Sequence, residues 1–270
     1  MAVDYATLKK GGFMRQKQKN NFSLRLRVVG GNLTAKQLAK IAEVSENYGD
    51  GYVHLTSRQS VEIPFVKLDD VEAVKDALAE GDVEPGVCGP RVRTITACQG
   101  EAICPSGCID TYALAKELDD RYFAKELPHK FKFGITGCQN NCLKAEENDV
   151  GIKGGIKVSW KEDACIGCGV CVKACRQGAI TLEDGKIPLT IQSVTTAADA
   201  SRLARQMRGT QFTATLFHSA DFSATQSTRA KQLFRLSKIK KNLWKSVMPL
   251  LTSLQKTQSR ANALSLQSTE

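Results

Sequence analysis

Eight of the ten cysteines stand in groups whose spacing is suited to metal or iron–sulfur chemistry. They are the pairs Cys98/Cys104 and Cys138/Cys142 and the run Cys165, Cys168, Cys171 and Cys175. In a reducing compartment, clustered cysteines indicate metal or redox chemistry rather than disulfides. The other two, Cys88 and Cys108, fit neither pattern and are predicted to be small buried side chains. The cysteine spacing therefore predicts a metal or electron-transfer protein.

The run "CIGCGVCVKAC" has the C-x2-C-x2-C-x3-C spacing of ferredoxin-type segments. Three thiolates in a short glycine-containing loop can each reach one iron of a [4Fe–4S] cubane, whereas a zinc knuckle needs four ligands around one ion. Iron–sulfur is therefore the prediction for residues 158–187. The fourth cysteine of such a run ligates a second cluster, whose own cysteine run is missing downstream in this sequence. The sequence leaves open whether the ferredoxin-type clusters form.

The two cysteine pairs are spaced C-x5-C in "ACQGEAIC" and C-x3-C in "GCQNNC", and 33 residues separate them. Either pair alone is a weak signal. Four thiolates supplied by two loops suit one cubane [4Fe–4S] cluster, so the two gaps together favour a cluster-binding domain. A helix is predicted in "DTYALAKELDDRYF", just after Cys104.

Hydrophobic periodicity predicts a small α+β unit near the N-terminus. "FSLRLRVV" alternates apolar and polar residues as a half-buried strand does, and Thr34 can cap a helix that runs to about Asn47. Two strands around Ser57–Ser60 and a helix ended by Gly81 follow, and this β-α-β-β-α order implies an antiparallel sheet with helices on one face. The predicted boundaries are 1–86 for this half-domain, 87–157 for the cysteine-pair domain, 158–187 for the ferredoxin-type segment and 188–270 for a tail.

The composition changes after Ile187. Residues 187–270 hold 12 Lys and Arg against 3 Asp and Glu, whereas the preceding 186 residues hold 26 and 25. The basic balance is thus confined to the tail, and the nearly neutral body does not predict nucleic-acid binding.

A change of reading frame would account for both the missing cysteine run and the unusual tail. In the frame one base earlier, four codons can encode cysteine at the missing ferredoxin spacing; they are those of Val194, Ala197, Ala200 and Ala204. The leading hypothesis is an out-of-frame, disordered tail. The alternatives are a natural disordered basic extension and a basic amphipathic helix lying on a membrane surface.

Membrane and secretion signals are missing from this sequence. No apolar run approaches the roughly 20 residues of a membrane span, and "MAVDYATLKKGGFMRQKQKNNF" lacks the apolar core of a signal peptide. A cytoplasmic protein without a membrane span is therefore expected.

Four stretches of the chain resemble the sirohaem-dependent nitrite and sulfite reductases. They are "LRLRVVGGNLTAKQL", "LTSRQSVEI", "VRTITACQGEAICPSGCIDT" and "LPHKFKFGITGCQNNC", and the likeness covers roughly residues 20–157. The chain is most similar to short, single-repeat forms with an appended ferredoxin segment, such as anaerobic sulfite reductase catalytic subunits. The resemblance implies an α+β fold: a ferredoxin-like N-terminal half-domain, then a sirohaem and [4Fe–4S] domain.

The resemblance also implies roles for individual residues. Cys98, Cys104, Cys138 and Cys142 would hold the cluster, and Cys142 would also bridge it to the sirohaem iron. Arg25, Arg93, Lys130 and Lys132 match basic residues around the substrate anion, and Arg58 matches a residue that pairs with sirohaem carboxylates. Elementary chemistry agrees, since an oxyanion that loses oxygen needs cations that stabilise charge and supply protons. Taken singly, each basic residue could instead be an ordinary solvated strand or surface residue.

Together these inferences predict an oxidoreductase that reduces sulfite to sulfide with six electrons at a coupled sirohaem–[4Fe–4S] centre. Reduction of nitrite to ammonia is the close alternative. The rivals are a sirohaem-binding electron carrier without catalysis, against which the full set of basic residues argues, and a scaffold damaged by the frameshift. Electrons are expected to enter through the ferredoxin-type segment from a donor subunit or a ferredoxin. Because larger relatives carry two repeats, a homodimer or a complex with partner subunits is expected.

Overall fold

The computed structural model describes residues 3–160, 167–174, 181 and 212–221. The chain divides into two compact units that alternate along the sequence. The first unit comprises Met1–Cys98, Thr111–Ile135 and Glu146–Val150, and the second comprises Gln99–Asp110, Thr136–Ala145 and Gly151–Glu270. The domain boundaries drawn from the sequence stay predictions.

An antiparallel sheet of four strands lies in the first unit. The strands are β1 (Phe13–Arg15), β2 (Asn21–Arg25), β3 (His54–Leu55) and β4 (Val61–Lys67), in the order β1-β2-β4-β3. Phe22 and Leu24 of β2 are buried while their neighbours are half-exposed, which confirms the predicted half-buried strand. The register sets Arg25 opposite Glu62 of β4, so the two side chains lie on one face of the sheet.

Three helices accompany this sheet: α1 (Tyr5–Lys10), α2 (Ala35–Tyr48) and α3 (Val71–Ala79). Thr34 caps α2 as predicted, in a capping box with Gln37. Buried side chains of α2 and α3, such as Ile41 and Leu78, share one core cluster with the inward side chains of the sheet. The helix α1 and the strand β1 were not predicted, because elements of six and three residues carry too little periodicity.

The rest of the first unit contains α4 (Thr111–Tyr122), the predicted helix after Cys104, and the strands β5 (Thr96–Ala97) and β6 (Phe133–Thr136). The strand β5 runs parallel to β6, with Thr96 opposite Gly134. A buried ion pair anchors α4: Asp119, fully buried, accepts a hydrogen bond from Arg27 at 2.8 Å. Burial raises the pKa of Asp119, and the Arg27 guanidinium opposes that rise.

The second unit contains β7 (Val150–Trp160), β8 (Phe212–Asp221) and the short helix α5 (Val170–Ala174). The strands β7 and β8 are antiparallel, with Gly151 opposite Asp221 and Trp160 opposite Phe212. The prediction of a disordered tail therefore does not hold for Phe212–Asp221. The segment "FTATLFHSAD" is rich in aromatic and β-branched residues, which favour a strand whatever the origin of the segment.

The remaining tail positions, including those of the frameshift hypothesis, lie outside the described residues. None of the helices that the structure describes is long and apolar enough to cross a membrane.

Candidate active site

A cavity of about 250 Å³ in the first unit brings together all five basic residues singled out from the sequence. They are Arg25, Arg58, Arg93, Lys130 and Lys132. The other described lining residues are apolar, hydroxyl-bearing or glycine, and none of them is a carboxylate: Leu26, Thr56, Ser57, Ser60, Gly86, Val87 and Thr94. Five cationic side chains around one small space attract an anion.

Arg25, at the end of β2, differs from the simple cation that the sequence suggested. Its Nε donates to a carboxylate oxygen of Glu62, and its Nη1 donates to the Sγ of Cys88 at 3.8 Å. Burial opposes the charge, but the hydrogen bond and the charge of Glu62 hold the pKa of Arg25 above its ordinary value. Arg25 therefore offers the cavity an oriented guanidinium whose charge is already balanced.

Arg93 is held only by neutral groups in the contacts that the structure describes for it. Its Nη1 donates to the carbonyl of Val87 at 2.8 Å and its Nη2 donates to the carbonyl of Gly89 at 3.1 Å. Its Nε is buried without a hydrogen-bond partner. An unsatisfied buried donor is costly, and a bound anion within reach would relieve that cost.

Arg58, in the loop between β3 and β4, is also oriented by neutral acceptors. Its Nη1 donates to Oδ1 of Asn148 at 2.8 Å and its Nη2 donates to the carbonyl of Thr94 at 3.0 Å. Burial and the nearby charge of Arg93 lower the pKa of Arg58 to about 10, against the opposing charge of Asp149. Arg58 therefore stays cationic at neutral pH, and its charge is available to a ligand.

Lys130 and Lys132 lie one residue apart, just before β6. The backbone N–H of Lys132 donates to Oδ2 of Asp149 at 3.0 Å, and its carbonyl accepts from the N–H of Val150 at 3.1 Å. Burial lowers the pKa of Lys132, as do the charges of Arg58, Lys130 and Arg93, while Asp149 opposes them. A lysine with a lowered pKa releases a proton more readily than an ordinary lysine.

Cys98 follows β5 and closes the first segment of the first unit. Its N–H donates to the carbonyl of Ile135 in β6 at 3.0 Å, and its carbonyl accepts from the hydroxyl of Thr111 at 2.5 Å. Gln59 fixes the preceding residue, since its side chain both donates to the carbonyl and accepts from the N–H of Ala97. The backbone at Cys98 is thus held from several sides.

The other three predicted cluster ligands lie in two loops of the second unit. The N–H of Cys104 donates to Gly100 at 2.9 Å, and the N–H of Cys108 donates to the carbonyl of Gly137 at 2.7 Å, which joins the two loops. Cys138 is buried, whereas Cys142 is exposed. Asn141, between them, turns the chain with a φ of 53°.

Two glycines allow the backbone of these loops to approach closely. A Cβ on Gly107 would come within 2.5 Å of the backbone of Gly100 and Glu101. A Cβ on Gly154 would fall on the carbonyl oxygen of Gly137, the residue before Cys138. Both positions therefore require a residue without a side chain.

We expect Gly154→Ala to destabilise the second unit and to lower the iron content. The added methyl group must push Gly137 away, at a cost of about 1–3 kcal/mol, and this moves the Cys138 loop. Urea unfolding and iron per chain are the measurements. Gly11→Ala is the matched control, because a Cβ there has ordinary contacts of 3.6 Å or more. Equal iron content in the two variants would contradict the expectation.

The structure tests the cysteine assignments only in part. Within the described residues, no group of three or more His, Cys, Asp or Glu could hold a single metal ion. A cubane differs from such a site because each thiolate binds its own iron. The four ligands Cys98, Cys104, Cys138 and Cys142 therefore stay a prediction. Cys88 and Cys108 are each 1% exposed, which confirms that they are buried.

The ferredoxin-type segment is described in its middle part. Cys168 is exposed and stands between Gly167 and Gly169, whose φ angles of 68° and 69° are in the left-handed region. Cys171 lies in α5, and Cys165 and Cys175 lie outside the described residues. The two glycines give this loop the tight curvature that a cluster-wrapping segment needs.

Sequence reasoning missed the residues that contact the cationic lining residues without lining the cavity themselves. Glu62 pairs with Arg25, and Asn148 and Asp149 contact Arg58 and Lys132. Glu62 was detectable in principle, because a carboxylate opposite an arginine in adjacent strands is a common pair. Asn148 and Asp149 belong to a loop without periodicity, so no sequence signal reveals their contacts.

Comparisons with known proteins identify the family. The profile described as "Nitrite/Sulfite reductase ferredoxin-like half domain" matches residues 14–81, and that described as "Nitrite and sulphite reductase 4Fe-4S domain" matches residues 88–200. The chain belongs to the nitrite and sulfite reductase family. The predicted resemblance and the predicted α+β fold, a ferredoxin-like half-domain followed by a [4Fe–4S] domain, are thereby confirmed.

The relatives of this chain include enzymes named for both substrates. The chain is 33% identical over 206 residues to a subunit of the anaerobic sulfite reductase of Salmonella typhimurium, covering 69% of this chain and 60% of that protein. It is 31% identical over 142 residues to an NAD(P)H nitrite reductase of Emericella nidulans, covering 52% and 13%. The chain thus spans about three fifths of the length of its Salmonella relative.

A solved structure shares the fold. The crystal structure of dissimilatory sulfite reductase I matches with a TM-score of 0.58 and 20% identity, covering 77% of this chain and 55% of that chain. At this identity the likeness concerns the fold alone.

Family membership implies a sirohaem and a [4Fe–4S] cluster, and the residues present fit both groups. Sirohaem is a polycarboxylate, and the cavity has cationic guanidinium groups with neutral partners at Arg58 and Arg93, including a buried N–H that lacks an acceptor. The loops of Cys104, Cys138 and Cys142 supply thiols, the donors that iron–sulfur clusters require.

Proposed function

We propose that this protein reduces sulfite to sulfide, with six electrons, at a sirohaem coupled to a [4Fe–4S] cluster. The single observation that supports it most is the cavity lined by Arg25, Arg58, Arg93, Lys130 and Lys132 and by no carboxylate among the described residues. Membership of the nitrite and sulfite reductase family and a relative named sulfite reductase support the same conclusion.

The cationic side chains have distinct tasks in this proposal. Arg93 and Arg25 donate N–H groups from fixed guanidinium planes, so they orient a small oxyanion. Arg58 would hold a carboxylate of the sirohaem. When bound, the sirohaem and its cluster supply electrons to the sulfur of sulfite. Sulfide forms as the three oxygens leave as water, and each leaving oxygen takes two protons.

Lys132 and Lys130 are the proposed proton donors to those leaving oxygens. Both are cations on one short segment, and the lowered pKa of Lys132 favours proton release. Their charges also stabilise the negative charge that builds up on oxygen as each sulfur–oxygen bond breaks.

Nitrite reduction to ammonia is the second candidate. A nitrite reductase is among the relatives, and nitrite is likewise a small oxyanion that needs six electrons and protons. The same cations serve both substrates, so a direct comparison of kcat/KM for sulfite and nitrite decides between them.

The decisive experiment is anaerobic purification followed by an optical spectrum, an iron count and assays with reduced viologen. We expect chlorin-type absorption, sulfide formed from sulfite, and slower formation of ammonia from nitrite. A preparation without chlorin absorption would overturn the proposal, and chlorin absorption without turnover would favour an electron carrier. Iron of about four per chain, rather than about twelve, would show that the ferredoxin-type clusters are missing.

Lys132 also predicts the pH dependence of the reaction. The protonated lysine is the active form in this proposal, so kcat/KM falls as the pH rises through the pKa of Lys132. Because that pKa is lowered, the fall occurs at a lower pH than for an ordinary lysine. Lys132→Arg keeps the charge but does not release a proton in this range, so we expect a lower rate at every pH and no alkaline fall from residue 132. Rates from about pH 6 to about pH 10 test this. The same alkaline fall in both proteins would show that another group titrates.

An electron-donating partner is part of the proposal. The Salmonella relative is named as one subunit of an anaerobic sulfite reductase, and electrons must reach this chain from a donor. We propose a complex in which a flavin- or iron–sulfur-containing protein or a ferredoxin delivers electrons to the segment around Cys168. A homodimer is the alternative assembly, and the mass of the purified complex distinguishes the two.

A further inference from the structure

Two adjacent residues, Asn148 and Asp149, support the basic cavity without lining it. Asn148 is 6% exposed, and its Oδ1 accepts a hydrogen bond from Nη1 of Arg58 at 2.8 Å. Asp149 accepts a hydrogen bond at Oδ2 from the backbone N–H of Lys132 at 3.0 Å. One dipeptide therefore contacts the guanidinium of Arg58 and the backbone of Lys132.

Asn148 is fixed tightly against the strand β6. A Cβ on Gly134 would collide with the side-chain nitrogen of Asn148, so the carboxamide packs directly on the glycine backbone. The nitrogen of the amide faces β6, which leaves Oδ1 for Arg58. Since a carboxamide is neutral, it aligns the guanidinium without cancelling its charge.

Asp149 acts on Lys132 in two ways. Its carboxylate holds the lysine backbone through the hydrogen bond, and its negative charge counters the lowering of the Lys132 pKa by burial and by the neighbouring cations. The charged groups that act on Lys132 are Arg58, Lys130, Arg93 and Asp149, and Asp149 is the acidic one among them. The carboxylate therefore limits the mutual repulsion of the cations around the cavity.

We propose that Asn148 and Asp149 are positioning residues of the active site: Asn148 aligns Arg58 for a carboxylate of the sirohaem, and Asp149 fixes the backbone of Lys132 and supplies the negative charge beside the cations. This inference rests on the proposed function only for the identity of the bound groups. A neutral amide contacts the cation whose charge is offered to a ligand, and a carboxylate contacts the lysine that lies among the other cations.

Asp149→Asn tests the second part. Asparagine keeps an oxygen that can accept from the N–H of Lys132, so the change removes charge and little else. NMR titration of the Lys132 side chain in the full-length protein, with Lys132→Arg to assign the signal, gives its pKa. We expect the pKa to fall further in Asp149→Asn and to stay unchanged in the control Asp69→Asn, an exposed carboxylate away from the cavity. An unchanged pKa in Asp149→Asn would overturn this part.

Asn148→Leu and Asn148→Asp test the first part. Leucine has a similar size but no acceptor, whereas aspartate keeps an oxygen for Arg58 and adds a negative charge that cancels the charge of the guanidinium. We expect sirohaem per chain to fall about tenfold in Asn148→Leu and also to fall in Asn148→Asp. Wild-type sirohaem content in Asn148→Leu would overturn the role of Asn148 as an acceptor, and wild-type content in Asn148→Asp would overturn the need for a neutral partner.

Circular dichroism establishes that each variant is folded, and if Asn148→Leu does not fold, Asn148→Ala replaces it as the variant without an acceptor. Both readouts are independent of turnover. If the protein reduces neither sulfite nor nitrite but the pKa of Lys132 still falls in Asp149→Asn, the proposed function is refuted and the role of Asp149 stands.

Discussion

Cys142→Ser is expected to abolish the proposed six-electron reduction of sulfite while the chain remains folded, because Cys142 is the predicted bridge between the cluster and the sirohaem iron. Cys142 is exposed, so a serine of similar size costs little folding free energy. A hydroxyl is a poor ligand for iron at neutral pH, since it must lose a proton that a thiol gives up far more readily. We therefore expect turnover to fall by at least about a thousandfold, as it does when an essential group is removed.

The measurements for Cys142→Ser are sulfide formed with reduced viologen, the optical spectrum, and iron per chain. Cys108→Ala is the control, because it removes a thiol from the same unit that has no predicted ligand role. Wild-type turnover in Cys142→Ser would refute the proposed bridging role. Loss of folding, seen as a lower unfolding midpoint than in the wild-type protein, would show that the cysteine serves structure instead.

Lys132→Met is expected to lower kcat for sulfite by about 10²–10³-fold, the usual effect of removing one preorganised donor. Methionine keeps the unbranched stem of lysine and loses the charge and the proton. Because Lys132 is half-buried and its pKa is lowered by burial and by neighbouring cations, its removal also relieves repulsion in the free protein. Stability is therefore expected to stay equal or rise while activity is lost.

Steady-state kinetics and urea unfolding of Lys132→Met check both halves of this expectation. Lys67→Met is the matched control, since Lys67 is an exposed lysine at the end of β4 and lies away from the cavity. A lower stability together with the lost activity would argue that Lys132 is structural. A change in KM alone would make it a binding group rather than a proton donor.

The parts of the fold that the sequence revealed are those with a repeated local signal. The alternation in β2 and the helix that Thr34 caps each span enough residues to be recognised. The helix α1 and the strand β1 are too short, and Phe212–Asp221 pairs with a strand more than 50 positions earlier in the chain. Pairing over such a distance has no local signature, because it depends on where the rest of the chain goes.

The site, like the fold, has features with a local sequence signal and features that depend on tertiary contacts. Residue type and motif found Arg25, Arg58, Arg93, Lys130 and Lys132, and the structure brings them around one cavity. The balancing of Arg25 by Glu62 and the orientation of Arg58 by Asn148 were not evident, since both depend on tertiary contacts. Motifs thus indicate which groups meet a ligand, while the structure shows how much charge each one offers.

The pair of Arg27 and Asp119 has a consequence for how these two positions can change in evolution. Asp119 is wholly enclosed and also accepts from the N–H of Ile95, so it ties a helix to two separate segments of chain. Losing Arg27 alone strands the Asp119 carboxylate in the interior, at a cost of about 3–5 kcal/mol, whereas Arg27 keeps Glu84 and Asp120 as partners when Asp119 is lost. The order of change is therefore constrained: we expect Arg27 to be replaced only together with Asp119 or after it.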